Sequence, residues 1–139
     1  MKKFFLILVF TCFLLSSPLT TEQKIYTTIL KALFPKDSII RIWTDDPTKE
    51  DLLKLLPLNI KLTHKSNADI LILYHTPNIK TDKMIFVGSY NLLKIYKEQA
   101  IGGFYWQKGR PNLIFIKPNL QKYHLILPKE LQKYEEESF

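Results

Sequence analysis

Apolar residues recur along this chain in two rhythms, and the changes of rhythm mark its elements. Over residues 21–33, Ile25, Ile29 and Leu33 fall at i, i+4 and i+8, with Tyr26, Leu30 and Phe34 beside them. That spacing predicts a helix with one broad apolar face. Thr20 and Gln23 fit a capping box at its start, and Pro35 ends it. Residues 38–43 (SIIRIW) predict a first strand. The turn Thr44-Asp45-Asp46-Pro47 leads into a second helix, with Asp46 as cap and Pro47 at the first helical position. Leu52, Leu53, Leu55 and Leu56 are its expected buried face, and Pro57 stops it.

The rhythm then shortens. Residues 58–62 alternate apolar and polar, which predicts an edge strand with one wet face. Residues 69–74 (DILILY) are apolar almost throughout, as in a central strand, and 84–88 (MIFVG) predict a fourth strand. Ser89 is the expected cap of a helix over 90–99, with Leu92, Leu93 and Tyr96 inward. Residues 101–107 and 112–117 predict a β-hairpin around a three-residue turn, Lys108-Gly109-Arg110, with Gly109 supplying the positive φ. Pro111 stands at the mouth of the return strand. Gly102-Gly103 predict a bulge or a close backbone approach, and the unbroken apolar run of residues 113–116 predicts a strand covered on both faces. A short helical stretch at 118–123 and a last helix at 129–136 complete the chain.

Strands alternating with helices argue for one α/β domain over residues 20–137. Its expected sheet is mostly parallel, flanked by helices, with a C-terminal antiparallel β-hairpin. Before it, Lys2 and Lys3 precede an apolar stretch at 4–15, shorter than the ~20 residues of a membrane-spanning helix. Residues 1–17 therefore read as a signal peptide and the destination as periplasmic or secreted, with an uncleaved membrane anchor as the alternative.

Composition changes this picture in two ways. The chain has one cysteine, Cys12, inside the expected signal segment, so the domain carries neither disulfide nor thiol chemistry. The formal net charge is +7, and without Lys2 and Lys3 about +5. Outside the cytoplasm a basic surface excludes nucleic acid as the natural partner and favours an anionic surface or an acidic protein face. The lysines are spread along the chain, as in an ordinary solvated surface.

Ligands of such sheets bind beyond the carboxyl ends of the strands. Those ends carry Asp45, His75, Ser89 and Tyr90, the candidate ligand-binding residues for a small-ligand or solute-binding sensor. Asp45, Asp46 and His75 have no fixed metal-ligand spacing, and no metal or other cofactor is implied. No Gly-x-Ser-x-Gly elbow, catalytic cysteine or phosphate-binding glycine loop occurs, so the chain is not expected to be an enzyme. His64 and His124 lie in polar loops and are expected to be exposed. At the hairpin, Trp106, Lys108 and Arg110 combine an aromatic anchor with two cations and are the candidate partner-binding residues. A lone tryptophan on a strand is ordinarily core, which is the expectation for Trp106, whereas both cations must be exposed.

The order of features from Ala68 to Tyr134 resembles the YfiR-like family of small periplasmic proteins. The matching stretches are residues 69–73 (DILIL), 84–89 (MIFVGS), Gly102-Gly103, 115–120 (FIKPNL, with Asn119-Leu120) and 127–131. The resemblance implies an α/β domain that binds another protein, typically the periplasmic part of a membrane-bound diguanylate cyclase. The expected partner is accordingly a membrane-associated signalling protein or another envelope protein. The family's disulfide-forming cysteines have no counterpart here, so redox sensing is not implied, and the first segment is shorter than the family's.

Overall fold

In a computed structural model, the residues described are 19–35 and 39–139. The expected signal segment lies outside them. The first helix, α1 (Thr21–Leu33), begins at the expected capping box: the Thr20 hydroxyl accepts from the Gln23 N–H at 3.2 Å, and the Gln23 side chain accepts from the Thr20 N–H at 2.9 Å. Strand β1 (Ile40–Thr44), helix α2 (Pro47–Lys54) and strand β2 (Ile60–Leu62) follow. After a 3-10 turn come β3 (Ile70–Leu73), β4 (Met84–Val87) and α3 (Tyr90–Ile95). The hairpin strands are β5 (Gly102–Gln107) and β6 (Arg110–Ile116). Short helices α4 (Lys117–Lys122) and α5 (Lys129–Gln132) and a last strand, β7 (Glu135–Glu136), complete the chain.

The strands form one sheet in the order β2-β1-β3-β4-β5-β6-β7. Every neighbouring pair is parallel except β5 and β6. This is the expected α/β domain with a mostly parallel sheet and a late antiparallel hairpin. The strand periodicity sends successive side chains to opposite faces. On the first face, Ile42, Ile70, Ile72, Phe86, Phe104 and Phe115 pack beneath α1, α2 and α5. On the second, Leu71, Leu73, Ile85 and Val87 pack against Leu92, Leu93 and Tyr96 around α3. Each fully buried aliphatic or aromatic side chain contributes roughly 1.5–3 kcal/mol relative to exposure. Tyr26 of α1 joins the first core edge-on, with ring centroids 5.7 Å from Phe86 and 6.2 Å from Phe104.

The structure departs from expectation at five places. The hairpin loop has two residues, because Gln107 and Arg110 pair as the last rung of the ladder. Lys108 (φ 52°) and Gly109 (φ 74°) both adopt the left-handed region, as a two-residue turn matching strand twist requires. Pro111 therefore sits within β6, opposite Trp106. The helix expected over 129–136 stops at Gln132, and Glu135 and Glu136 instead pair with Phe115 and Ile116. The helix expected over 90–99 is regular only to Ile95. In α2 and its end, Leu53 and Leu56 are buried one turn apart, while Leu55 points outward at 70% exposure. Trp106, expected in the core, is 53% exposed, because β5 runs beyond its covering helices there.

Candidate functional site

The strand order reverses direction between β1 and β3, with β2 lying to one side of β1 and β4 beyond β3. Such a switch point opens a crevice at the carboxyl ends of the two strands, the usual ligand position in an open α/β sheet. Asp45 leaves β1 at that point. Its carboxylate accepts hydrogen bonds from the backbone N–H groups of Tyr74 (2.7 Å), His75 (2.9 Å) and Thr76 (2.8 Å). These are the first residues after β3, so Asp45 ties the exits of the two strands together. Burial opposes its ionisation, but the donors from Tyr74, His75 and Thr76 outweigh burial and hold its pKa below the ordinary value.

Asp46 serves the next element. Its carboxylate caps α2, accepting from the Thr48 N–H at 2.9 Å and the Thr48 hydroxyl at 2.6 Å, and it meets His75 Nε2 at 2.9 Å. The Thr48 hydroxyl is the largest influence; slight burial opposes it and His75 adds to it, bringing the Asp46 pKa to about 2. Carboxylates with depressed folded-state pKa values stabilise the fold above their unfolded value of about 3.9. That contribution is lost as pH falls through the folded value. Thermal stability should therefore fall as pH drops from about 4 towards 2, and Asp46→Asn should flatten that fall, as melting curves across this window would show.

Tyr74, the first residue after β3, packs against the first-face core. Its ring covers Gly88, where an added Cβ would lie 2.2 Å from Tyr74 Cε1. Lys49 Nζ lies over the same ring, 5.0 Å from its centroid. The Tyr74 hydroxyl donates to Glu22 Oε1 at 2.9 Å and stands 2.7 Å from the Tyr26 hydroxyl, which is thereby the donor of that pair. Glu22 is also paired with Lys49, whose Nζ reaches both carboxylate oxygens at 2.9 and 2.8 Å. Burial above all, and then the neighbouring Tyr26 and Glu22, raise the Tyr74 pKa, so the phenol stays neutral. Burial likewise raises that of Tyr26. The network is closed: a phenol chain ending on a carboxylate that a lysine neutralises. Tyr74→Phe should cost about 2 kcal/mol in chemical denaturation, because it leaves the buried Tyr26 hydroxyl without its acceptor. Tyr26→Phe should cost about half as much, since Tyr74 keeps Glu22.

Of the four strand-end residues read from the sequence, Asp45 and His75 come together, joined through backbone and through Asp46. The His75 ring is 65% exposed and faces solvent. Ser89 and Tyr90 are placed differently. Ser89 caps α3 through the Leu92 N–H at 3.1 Å. Tyr90 packs on the second face against Tyr105 and Phe139, each with ring centroids 5.6 Å away, with Lys94 Nζ 5.1 Å from its ring centroid. Sequence reading did not find Glu22, Tyr26 or Lys49. Glu22 and Lys49 look like ordinary first-turn charges of two amphipathic helices, and only the packing of α1 beside α2 joins them. Among the described residues no group of three or more His, Cys, Asp or Glu side chains is arranged to hold a metal ion.

The hairpin end presents the second candidate site, and its register divides it between two faces. Trp106 pairs with Pro111 on the first face, where its ring packs edge-on against Phe104 with centroids 6.0 Å apart. Beside them an apolar groove of about 240 Å³ runs between α1, the hairpin and α5, lined by Ile25, Phe104, Pro111, Leu113, Leu131 and Tyr134 among others. Arg110 and Asn112 point to the second face. With Gln107 and Lys108 they line an open polar hollow of about 420 Å³. Neither Lys108 nor Arg110 is in an ion pair among the described residues. His64 and His124 are exposed in their loops, as expected.

Fold and sites define a small α/β domain with a strand-end carboxylate engaged by backbone donors and an exposed hairpin tip. No family model and no curated protein matches the chain. Among solved structures, it is similar to a chain described as the ABC domain in complex with L-Trp from Streptococcus pneumonia, at 10% sequence identity and a TM-score of 0.49. The alignment covers 78% of this chain and 59% of that one, so this chain spans about three-fifths of its neighbour's length. Among the described residues no helix is long and apolar enough to cross a membrane.

Proposed function

We propose that this is an exported, non-enzymatic binding or regulatory protein of the cell envelope, which engages the periplasmic part of a membrane signalling protein through its hairpin end. One observation carries the reading. Where such a sheet ordinarily takes a ligand, the protein's own groups engage one another: Asp45 accepts from three backbone donors, and Tyr74 meets Glu22, Tyr26 and Lys49. Along the same carboxyl edge of the sheet, at the hairpin tip, Trp106 is exposed and Lys108 and Arg110 have no counter-ion among the described residues; these are residue types that anchor protein interfaces. The resemblance to the YfiR-like family supports the same assignment.

The test is crosslinking capture from envelope extracts. Wild-type protein should recover a membrane protein, and Lys108→Glu combined with Arg110→Glu should lose most of it. Recovery of no membrane protein, or equal recovery by the charge-reversed protein, would contradict the proposal. A small-ligand sensor is the alternative function. It would instead show a melting-temperature shift with a ligand panel, a shift abolished by His75→Ala.

A further inference from the structure

We propose that the outer edge of β6, between Pro111 and Leu113, accepts an extended strand from the partner, and that this strand alternates apolar side chains with carboxylates. The inference rests on the protein-binding reading above and specifies how the partner is held.

The ladder parity decides which groups are available. Gln107 and Arg110 close the two-residue turn, and Ile116 N–H donates to Ile101 O at 2.8 Å at the far end. In an antiparallel pair the residues that exchange bonds alternate. Arg110, Asn112, Ile114 and Ile116 therefore turn their backbone groups inward to β5, and Pro111, Leu113 and Phe115 turn theirs outward. Phe115 has an outward partner, since its N–H donates to Tyr134 O at 2.9 Å. Strand β7 goes no further, pairing only with Phe115 and Ile116. The N–H and C=O of Leu113 have no hydrogen-bond partner in another element among the described residues. The carbonyl of Pro111 points the same way, while its missing N–H shortens the usable edge at the hairpin tip.

An unpaired edge of this kind is a template for strand addition. Its two sides differ in chemistry, which fixes the side chains of the incoming strand. On the first face it would lie over the apolar groove formed by Ile25, Phe104, Leu113, Leu131 and Tyr134. On the second it would run beside Arg110 and the polar hollow it shares with Lys108. Residues of one parity must be apolar, and a residue of the other parity gains from a negative charge.

The probe is a short synthetic peptide alternating valine and glutamate, with an alternating valine–lysine peptide of the same length as control. The measurement is amide hydrogen exchange of the purified protein, residue by residue. With the valine–glutamate peptide, exchange at Leu113 should slow by about tenfold or more, while the inward amides of Asn112 and Ile114 change little. Leu113→Pro removes only an outward donor and should abolish binding, whereas Leu113→Val should retain it. Protection at Asn112 verifies that the hairpin persists in both. Absence of binding, binding without protection at Leu113, or equal protection by the lysine peptide would overturn the proposal. So would protection at Leu113 without peptide in a concentration-dependent dimer, which would assign the edge to a second copy. If envelope capture succeeds and depends on Lys108 and Arg110 while Leu113→Pro has no effect, the regulatory reading stands and the strand-addition proposal fails.

Discussion

Replacing Asp45 by alanine is expected to destabilise the protein by about 3 kcal/mol, the larger part of which comes from stranding donors and not from losing a surface charge. Three backbone N–H groups, of Tyr74, His75 and Thr76, converge on this one carboxylate. Hydrogen bonds to a charged acceptor are worth about 1.5–3 kcal/mol each, but the site is only partly buried, and water recovers some of them in the variant. For a domain of this size the corresponding fall in melting temperature is roughly 10 °C. Asp45→Asn should fall between wild type and alanine, because one carbonyl oxygen remains while its amide group opposes the donors. Thermal unfolding of the three proteins checks the order. Equal stability of Asp45→Ala and wild type would mean that the strand exits are held by something other than this carboxylate.

Gly102→Ala should cost as much, about 3 kcal/mol, for a steric reason. A Cβ there would stand 2.3 Å from the Ile114 carbonyl oxygen and 3.1 Å from Phe115 Cα. Both are backbone atoms of the neighbouring strand, so relief requires β5 and β6 to separate beside the core residue Phe115. Gly103→Ala meets mainly Val87, through its Cγ2 at 2.9 Å and its carbonyl oxygen at 3.0 Å, and a side-chain rotation relieves part of that contact. It should be milder. Gly109→Ala meets nothing within 4 Å, and its cost is limited to the positive φ of 74°, about 1 kcal/mol. Chemical denaturation of the three variants should rank them in that order.

The elements that were legible in the sequence are those whose signals are local. The capping box of Thr20 and Gln23, Pro47 after Asp46, and the apolar run of β3 each announce a structure that neighbouring residues enforce. Gly102-Gly103 likewise announced a close approach, and the approach is of the return strand and Val87. What could not be read depends on residues far apart in the chain. Glu135-Glu136 has no strand character of its own and is extended only because Phe115 and Ile116 offer an edge. The exposure of Trp106 follows from how far α1 and α5 reach along β5, which no local pattern encodes. At the strand ends the residue types were legible and their contacts were not. Three backbone N–H groups converge on Asp45, and Tyr74 and Glu22 complete a network that links the first helix to the end of the third strand.

The hairpin stretch was legible as a whole, yet its facing turned on a single residue of loop length. A three-residue loop leaves the pairing of Arg110 open. The two-residue turn pairs it with Gln107, sends it to the face opposite Trp106, and leaves the Leu113 backbone at the free edge. The anchor and the cations thus flank one edge from its two sides, an arrangement suited to a strand and poorly suited to a flat surface.

We propose that function lies at the hairpin tip and not at the strand-end crevice. The most direct test is site-specific photo-crosslinking in intact envelopes, with a photoreactive phenylalanine placed once at position 106 and once at position 75. A discrete adduct with a membrane protein is expected from position 106 and none from position 75. An adduct from position 75 with none from position 106 would contradict the proposal.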